Sequence, residues 1–197
     1  MKNDNLKNGV LLTTPYFDVI DIDGHIGVKS TVDSVIILPF VSDENGLPLM
    51  LGVLDEINRF RDGGKCMSLI SGKCDDEDSN FLDTAKRELK EESGFDVEDD
   101  KKWYFLGSIT ASKFVDCEYP CFAVDVTGIE AGKKTTDGSD DEKNSRFIFI
   151  PANDVVKSKD VFIPALFLKL FKYVVGMDLY DREDSVFSKN SGFKGEI

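Results

Sequence analysis

One histidine, His25, stands in a chain of 197 residues. A Ser-His-Asp triad or a histidine-rich metal centre would have to rest on it alone, and both are set aside. Gly24 beside it predicts a solvated turn position for His25. Cysteine is sparse as well. Cys66 and Cys74 are separated by seven residues, and Cys117 and Cys121 by three. Neither spacing is that of a paired CxxC zinc site, so reduced thiols are expected. The apolar run from Val35 to Val41 has only seven residues, and no stretch approaches the length of a membrane span. Met1 to Gly9 lack the apolar centre of a signal peptide, and a cytoplasmic protein is expected. Neither GxGxxG nor GxxxxGKS/T occurs, which sets aside the dinucleotide fingerprint and the P-loop. Basic residues are outnumbered: 24 Lys and Arg face 37 Asp and Glu, for a net charge of −13. Such a surface repels nucleic acid and anionic membranes. It would also repel a phosphorylated small molecule unless a cation intervenes.

What is present suffices for one domain with extensions: hydrophobic residues are 41% of the chain, enough for a full core. Val32 to Val41, rich in β-branched residues, predicts a buried strand. Asn45-Gly46 is a turn signal, and Pro48 to Leu54 reads as the paired strand. Arg61 to Lys65 carries two glycines and reads as a loop. Further strands are expected at Met67 to Ile70, Trp103 to Thr110, Tyr119 to Val126 and Arg146 to Ile150. Val10 to Thr13 and Phe17 to Ile22 could add one or two more. Asn80 to Glu92 reads as a helix ended by Gly94. Pro164 to Val175 reads as an apolar helix with proline in its first turn. Thr135 to Ser145 is an acidic, polar stretch with the character of a long exposed loop. Hairpins mixed with helices argue for an α/β fold with a mixed sheet flanked by helices, not a regular βαβ array. The expected division is an N-terminal extension over 1–30, a main domain over 31–180 and a polar, flexible tail over 181–197.

The chemistry concentrates in Gly72 to Phe95, GKCDDEDSNFLDTAKRELKEESGF. On a helix, Leu82, Ala85 and Leu89 share one stripe that can face a core. Glu88 and Glu92 are four apart and sit one turn above each other on a face bordering that stripe, with Glu91 close by. Three carboxylates thus converge at the edge of a buried surface. Like charges at this spacing disfavour a helix by a few tenths of a kcal/mol, and a divalent cation between them would reverse the sign. Hard oxygen ligands suit Mg²⁺ or Mn²⁺. Arg87, four before Glu91, can pair with it. An acidic solvated helix face is the competing reading of the same residues.

Arg87-Glu88-Leu89-Lys90-Glu91-Glu92-Ser93-Gly94-Phe95 resembles the second half of the Nudix box, R-E-U-x-E-E-x-G-U with U apolar, at every position. The likeness implies a Nudix-type α/β/α sandwich, a mixed β-sheet flanked by helices. The first half of the box departs from the family's G-x5-E-x7-R. Ser79, not glutamate, lies eight before Arg87, and Asp78 lies six after Gly72, so the loop is one residue longer. Ser71-Gly72 stands where a double glycine is common, at the usual position of a backbone carbonyl ligand.

By resemblance, Glu88 and Glu92 would be direct Mg²⁺ ligands, Glu91 a ligand or its neighbour, and Arg87 the group that orients the carboxylates. Such ions neutralise a diphosphate and activate water for attack at phosphorus. The general base varies in the family. Glu142, in the acidic loop before the Arg146 strand, is the candidate here, with Glu118 as another. Asp78 has two rival roles, helix cap or metal-site carboxylate, and it competes for the latter with Asp76 and Glu77. The implied activity is hydrolysis of a pyrophosphate bond in a nucleoside diphosphate linked to another moiety, of the ADP-ribose, nucleotide-sugar or dinucleotide type. The extension over 1–30 is similar to the additional N-terminal sheet of ADP-ribose pyrophosphatases, which implies a homodimer. Phe17, Phe60 and Trp103 are aromatics that could stack on a base, with core packing as the alternative. Two other readings stay open: a Nudix-fold module that binds a nucleotide without cleaving it, and an acidic interaction protein.

Overall fold

The structure is a computed structural model that describes residues 9–58, 64–135 and 145–175. Its centre is a seven-stranded mixed sheet. Five strands run in the order β11 (Arg146–Pro151), β5 (Pro48–Asn58), β4 (Ser34–Ser42), β10 (Tyr119–Asp125) and β8 (Trp103–Ile109). Strands β6 (Gly64–Ser68) and β7 (Ile70–Lys73) pair with β5 and β4 respectively. Only β4 and β10 run parallel, with Ile36 opposite Cys121; the other pairs are antiparallel.

The apolar run in β4 is explained by burial on both faces. Val35 and Ile37 point to one side, where they pack with Leu82, Ala85 and Leu89 of helix α1 (Phe81–Ser93). Ile36, Leu38 and Phe40 point to the other, against Ile163, Leu166 and Leu170 of helix α2 (Phe162–Val175). β10 divides likewise, Phe122 and Val124 toward α1, Cys121 and Ala123 toward α2. The result is the expected layered arrangement of helix, mixed sheet and helix.

A second sheet precedes and flanks the first. It has the order β1 (Gly9–Thr13), β2 (Phe17–Ile22), β3 (His25–Ser30) and β9 (Val115–Asp116). β9 comes from the loop after β8 and pairs parallel to β3. Val10, Leu11, Leu12, Ile22 and Ile26 of this sheet are each more than half exposed.

Three expectations are corrected. His25 is the first residue of β3, opposite Ile22, and not a turn residue. The turn itself is Asp23-Gly24, both with positive φ (52° and 84°), the geometry of a type I′ hairpin. Met67 to Ile70 is not one strand. The chain changes partner at Leu69, leaving β5 for β4, and that side chain drops into the α2-side core at 5% exposure. The loop expected over Arg61 to Lys65 gives way to β6 at Gly64. Phe60, Glu142 and the 181–197 tail lie outside the described residues. Among the described residues no helix is long and apolar enough to cross a membrane.

Candidate active site

Helix α1 is fixed at both ends by local chemistry. The Asn80 side chain accepts from the backbone N–H groups of Leu82 and Asp83, so Asn80 is the N-cap, and Asp78 is not. Gly94 closes the helix in the left-handed region at φ 82°, its N–H donating to the Lys90 carbonyl. A Cβ there would lie 2.4 Å from the carbonyl oxygen of Gly132, so backbone approach as well as φ demands glycine.

The apolar stripe of α1 presses on β4 and β7, and this carries two carboxylates inward. Glu88 is 8% exposed and Glu92 9%. Glu92 was expected at the edge of a buried surface; it is itself buried, because the stripe of Leu82, Ala85 and Leu89 tilts that face onto the sheet. Glu91 is half-buried.

Arg87 organises the cluster. Its Nη1 donates to Glu88 Oε1 at 2.7 Å and to Glu91 Oε2 at 3.1 Å. Its Nη2 donates to Asp78 Oδ2 at 3.1 Å and to the Lys73 carbonyl at 2.8 Å, while Nε reaches Asp78 Oδ1 at 3.3 Å. Asp75 stands 3.4 Å from the same guanidinium. Asp78 is held further by the Thr84 hydroxyl at 2.9 Å and the Asp75 N–H at 3.0 Å. The longer loop therefore folds so that Asp78 grips Arg87 from the side opposite Glu88. Thr84, fully buried, was not singled out from sequence. Its signal was its position three before Arg87, on the same helix face.

Three bare carboxylates at ligating separation were expected. Instead, among the described residues no three acidic, histidine or cysteine side chains form such a group. The guanidinium stands between Glu88 and Glu91 and offsets the repulsion that would follow from gathering them. Electrostatics still favour a further cation. Four acids, Asp75, Asp78, Glu88 and Glu91, surround one arginine. Burial, with the nearby charges of Glu91 and Asp75, pushes the Glu88 carboxyl up to about 7 against the pull of Arg87. Burial would raise Asp78 too, but the hydrogen bonds from Arg87, Asp75 and Thr84 hold it below the usual carboxylate range.

Gly72 completes the seat. It lies in β7 opposite Val35, and a Cβ built on it would fall 1.8 Å from Glu88 Cδ and 1.9 Å from Oε1. The Glu88 carboxylate fills the space where a side chain at 72 would be. Ser71, its neighbour, points to the opposite face of the strand, beside Ile36. Hard oxygen donors, a surplus of negative charge and a strand with no side chain in the way fit a small divalent ion.

The other candidates are dispersed. Trp103 is 2% exposed and its indole N–H donates to the Val97 carbonyl, so it belongs to the core. Phe17 is 38% exposed and lines a cavity between the two sheets. Glu118 precedes β10. No disulfide links the four cysteines.

Comparison with known proteins agrees with this architecture. The chain is similar to a crystallised ADP compounds hydrolase at 16% identity and a TM-score of 0.63, over 87% of this chain and 93% of that one. It is also similar to a protein of Listeria monocytogenes strain 4b F2365 described as a NUDIX hydrolase, at 21% identity and a TM-score of 0.53, over 76% and 98% of the two chains. At these identities the likeness is one of fold. No curated protein matches the sequence. The family profile described as the NUDIX domain matches residues 33–171, from the residue before β4 into the last turns of α2. The chain belongs to the Nudix family of pyrophosphohydrolases.

Proposed function

We propose that the protein hydrolyses, with Mg²⁺ or Mn²⁺, the pyrophosphate bond of a nucleoside diphosphate linked to a second moiety, of the ADP-ribose, nucleotide-sugar or dinucleotide type. The observation that carries this is Glu88: a buried carboxylate seated against Gly72, tied to Arg87, one helical turn before the buried Glu92. Glu88 and Glu92 would hold the ion, with Glu91 completing or supporting the set. When bound, the ion supplies charge neutralisation of the diphosphate and a more acidic water. The chain's own residues do the rest. Arg87 fixes the rotamers of Glu88 and Glu91, and Asp78 and Thr84 fix Arg87.

The substrate class is supported by the ADP compounds hydrolase of similar fold, whose architecture matches over 87% of this chain. The flanking N-terminal sheet gives a second support, since a wall beyond the metal site suits a two-part substrate. Its exposed Val10, Leu11 and Leu12 support a homodimer in which a second copy covers them. The test is a screen with Mg²⁺ and Mn²⁺ over ADP-ribose, NAD(H), FAD, dinucleoside polyphosphates and nucleoside triphosphates, read as phosphate released after phosphatase coupling. ADP-ribose or a dinucleotide is expected to lead. Cleavage of triphosphates alone would overturn the substrate class, and absence of all turnover would favour a binding module.

A further inference from the structure

A guanidinium carries five N–H donors in a rigid fork. At Arg87 each of the five meets an acceptor: Asp78 Oδ1 at Nε, Glu88 Oε1 and Glu91 Oε2 at Nη1, Asp78 Oδ2 and the Lys73 carbonyl at Nη2. A group so saturated stands where its acceptors put it. The Lys73 carbonyl is part of β7, which is fixed by pairing with β4. Glu88 and Glu91 ride on the helix that carries Arg87 itself. Asp78 is different. It fills two of the five positions, and it comes from the loop between β7 and α1, which is one residue longer than the family's spacing.

What fixes Asp78 is therefore what fixes Arg87. The loop closes a turn in which the Asp78 N–H donates to the Asp75 carbonyl at 3.2 Å, and Asp76 and Glu77 are exposed in it. Position 79 is committed to the start of the helix, where the Ser79 N–H donates to Asp83 Oδ2 at 3.2 Å. The second hold comes from α1. Thr84 is fully buried, and a buried hydroxyl is costly unless it is paired. It donates to Asp78 Oδ2 at 2.9 Å, while the Asn80 carbonyl in its own helix is farther, at 3.4 Å. Thr84 and Arg87, three apart on one helix face, thus meet the same carboxylate oxygen. With the Asp75 N–H that oxygen accepts from three donors, which leaves it no lone pair for a metal ion.

We propose that Thr84 is a positioning residue of the metal site: its hydroxyl holds Asp78 so that the longer loop offers Arg87 both carboxylate oxygens, and Arg87 then sets the places of Glu88 and Glu91. This rests on the hydrolase reading for the presence of the ion, and metal binding tests it without turnover. Mn²⁺ binding to the full-length, substrate-free protein is to be measured by calorimetry. Thr84→Val removes the hydroxyl at nearly constant volume and should weaken Mn²⁺ about fivefold, the ratio that one lost hydrogen bond gives. Thr84→Ser, which keeps the hydroxyl, should stay close to wild type. In an Asp78→Ala background Thr84→Val should add nothing, because the hydroxyl acts through Asp78. The Mg²⁺ requirement of hydrolysis should rise in parallel in Thr84→Val. Unchanged Mn²⁺ affinity in Thr84→Val, an equal loss in Thr84→Ser, or a loss that adds to that of Asp78→Ala overturns the assignment. Thr84→Ala carries the same comparison should Thr84→Val not fold, and failure of both to fold makes Thr84 a folding residue and overturns it too. The expected Mn²⁺ pattern in a chain that hydrolyses nothing would keep the positioning role and remove the hydrolase reading. Hydrolysis with a wild-type Mg²⁺ requirement in Thr84→Val would do the reverse. A wild-type chain that binds no Mn²⁺ overturns both.

Discussion

Adding a single methyl group at Gly72 separates the chemistry of the site from its stability. The residue has ordinary strand geometry, not a positive φ, so alanine is acceptable to the backbone. What it meets is Glu88, at 1.8 Å from Cδ, 1.9 Å from Oε1 and 2.3 Å from Cγ. Carbon atoms pack at about 3.5 Å, so the carboxylate must leave its seat by a change of rotamer. Leaving loses the 2.7 Å bond to Arg87, a charged hydrogen bond of about 1.5–3 kcal/mol. It also frees a carboxyl whose rise to about 7 is already net of that bond, so burial costs Glu88 more than Arg87 returns. Alanine in a strand interior adds about 0.5 kcal/mol over glycine. The relief therefore offsets the lost bond, and Gly72→Ala should leave the chain folded, with a loss of folding stability no greater than about 1 kcal/mol, or about 3 °C in melting temperature for a chain of this size. Turnover should nevertheless fall at least about 10²-fold, because the displaced group is the proposed metal ligand. Thermal melts and initial rates with ADP-ribose and Mg²⁺ read the two quantities. A folded Gly72→Ala protein with wild-type turnover refutes the seat, and a variant that does not fold refutes the offset.

Three further outcomes follow from the same geometry. Glu92→Gln and Glu88→Gln should each remove most metal-dependent hydrolysis while keeping the fold, as seen by circular dichroism beside the phosphate assay; near wild-type rates in Glu92→Gln would undo the ligand assignment. Asp78→Asn should raise the Mg²⁺ concentration for half-maximal rate several-fold, less than Glu88→Gln does, since Asp78 acts by gripping Arg87; identical titrations for Asp78→Asn and wild type would contradict that grip. In metal-free protein, Glu88 is raised from 4.5 to about 7 on folding, so its contribution is fully present below about 4.5 and is lost as pH rises through about 7, by at most about 3 kcal/mol. Urea melts between pH 5 and 8 should show that slope in wild type and lack it in Glu88→Gln.

Helix α1 was legible in the sequence because its determinants are local: an apolar stripe at helical spacing, a polar residue at its start and a glycine past its end. Glu88 and Glu92 followed from the same spacing. The depth of Glu92 did not, since how far a helix face tilts onto a sheet is decided by packing partners such as Val35 and Ile70. Strand β3 was missed. His25, Gly27 and Lys29 are weak strand formers, and pairing with β2 and β9 supplies what propensity does not. The Asp23-Gly24 dipeptide was the overlooked signal. The division of β6 from β7 at Leu69 reflects a switch of partners, which no periodicity records. At the site, Gly72 could be read as a required glycine, but its reason lies sixteen residues on, where Glu88 follows β7, the loop and two turns of helix. Asp78 kept its place because an irregular loop of one added residue closes on Arg87 and Thr84, a conformation the residue count alone does not give.

The two-residue strand β9 has a consequence for how the chain is made. Three strands of the N-terminal sheet leave the ribosome early, but their fourth, Val115–Asp116, is synthesised only after β4 to β8 and α1. Hairpins β1–β2 and β2–β3 can close at once from neighbouring residues, whereas the edge of β3 waits for a contact between Val28 and Val115. A contact so distant along the chain forms late, and closing it carries a loop entropy that local hairpins avoid. Until then β3 presents an open edge beside exposed aliphatic side chains, the kind of intermediate surface that associates wrongly in a crowded cell. The nascent chain is thus most vulnerable to self-association between the synthesis of Ser30 and that of Asp116, and this window closes when β9 docks.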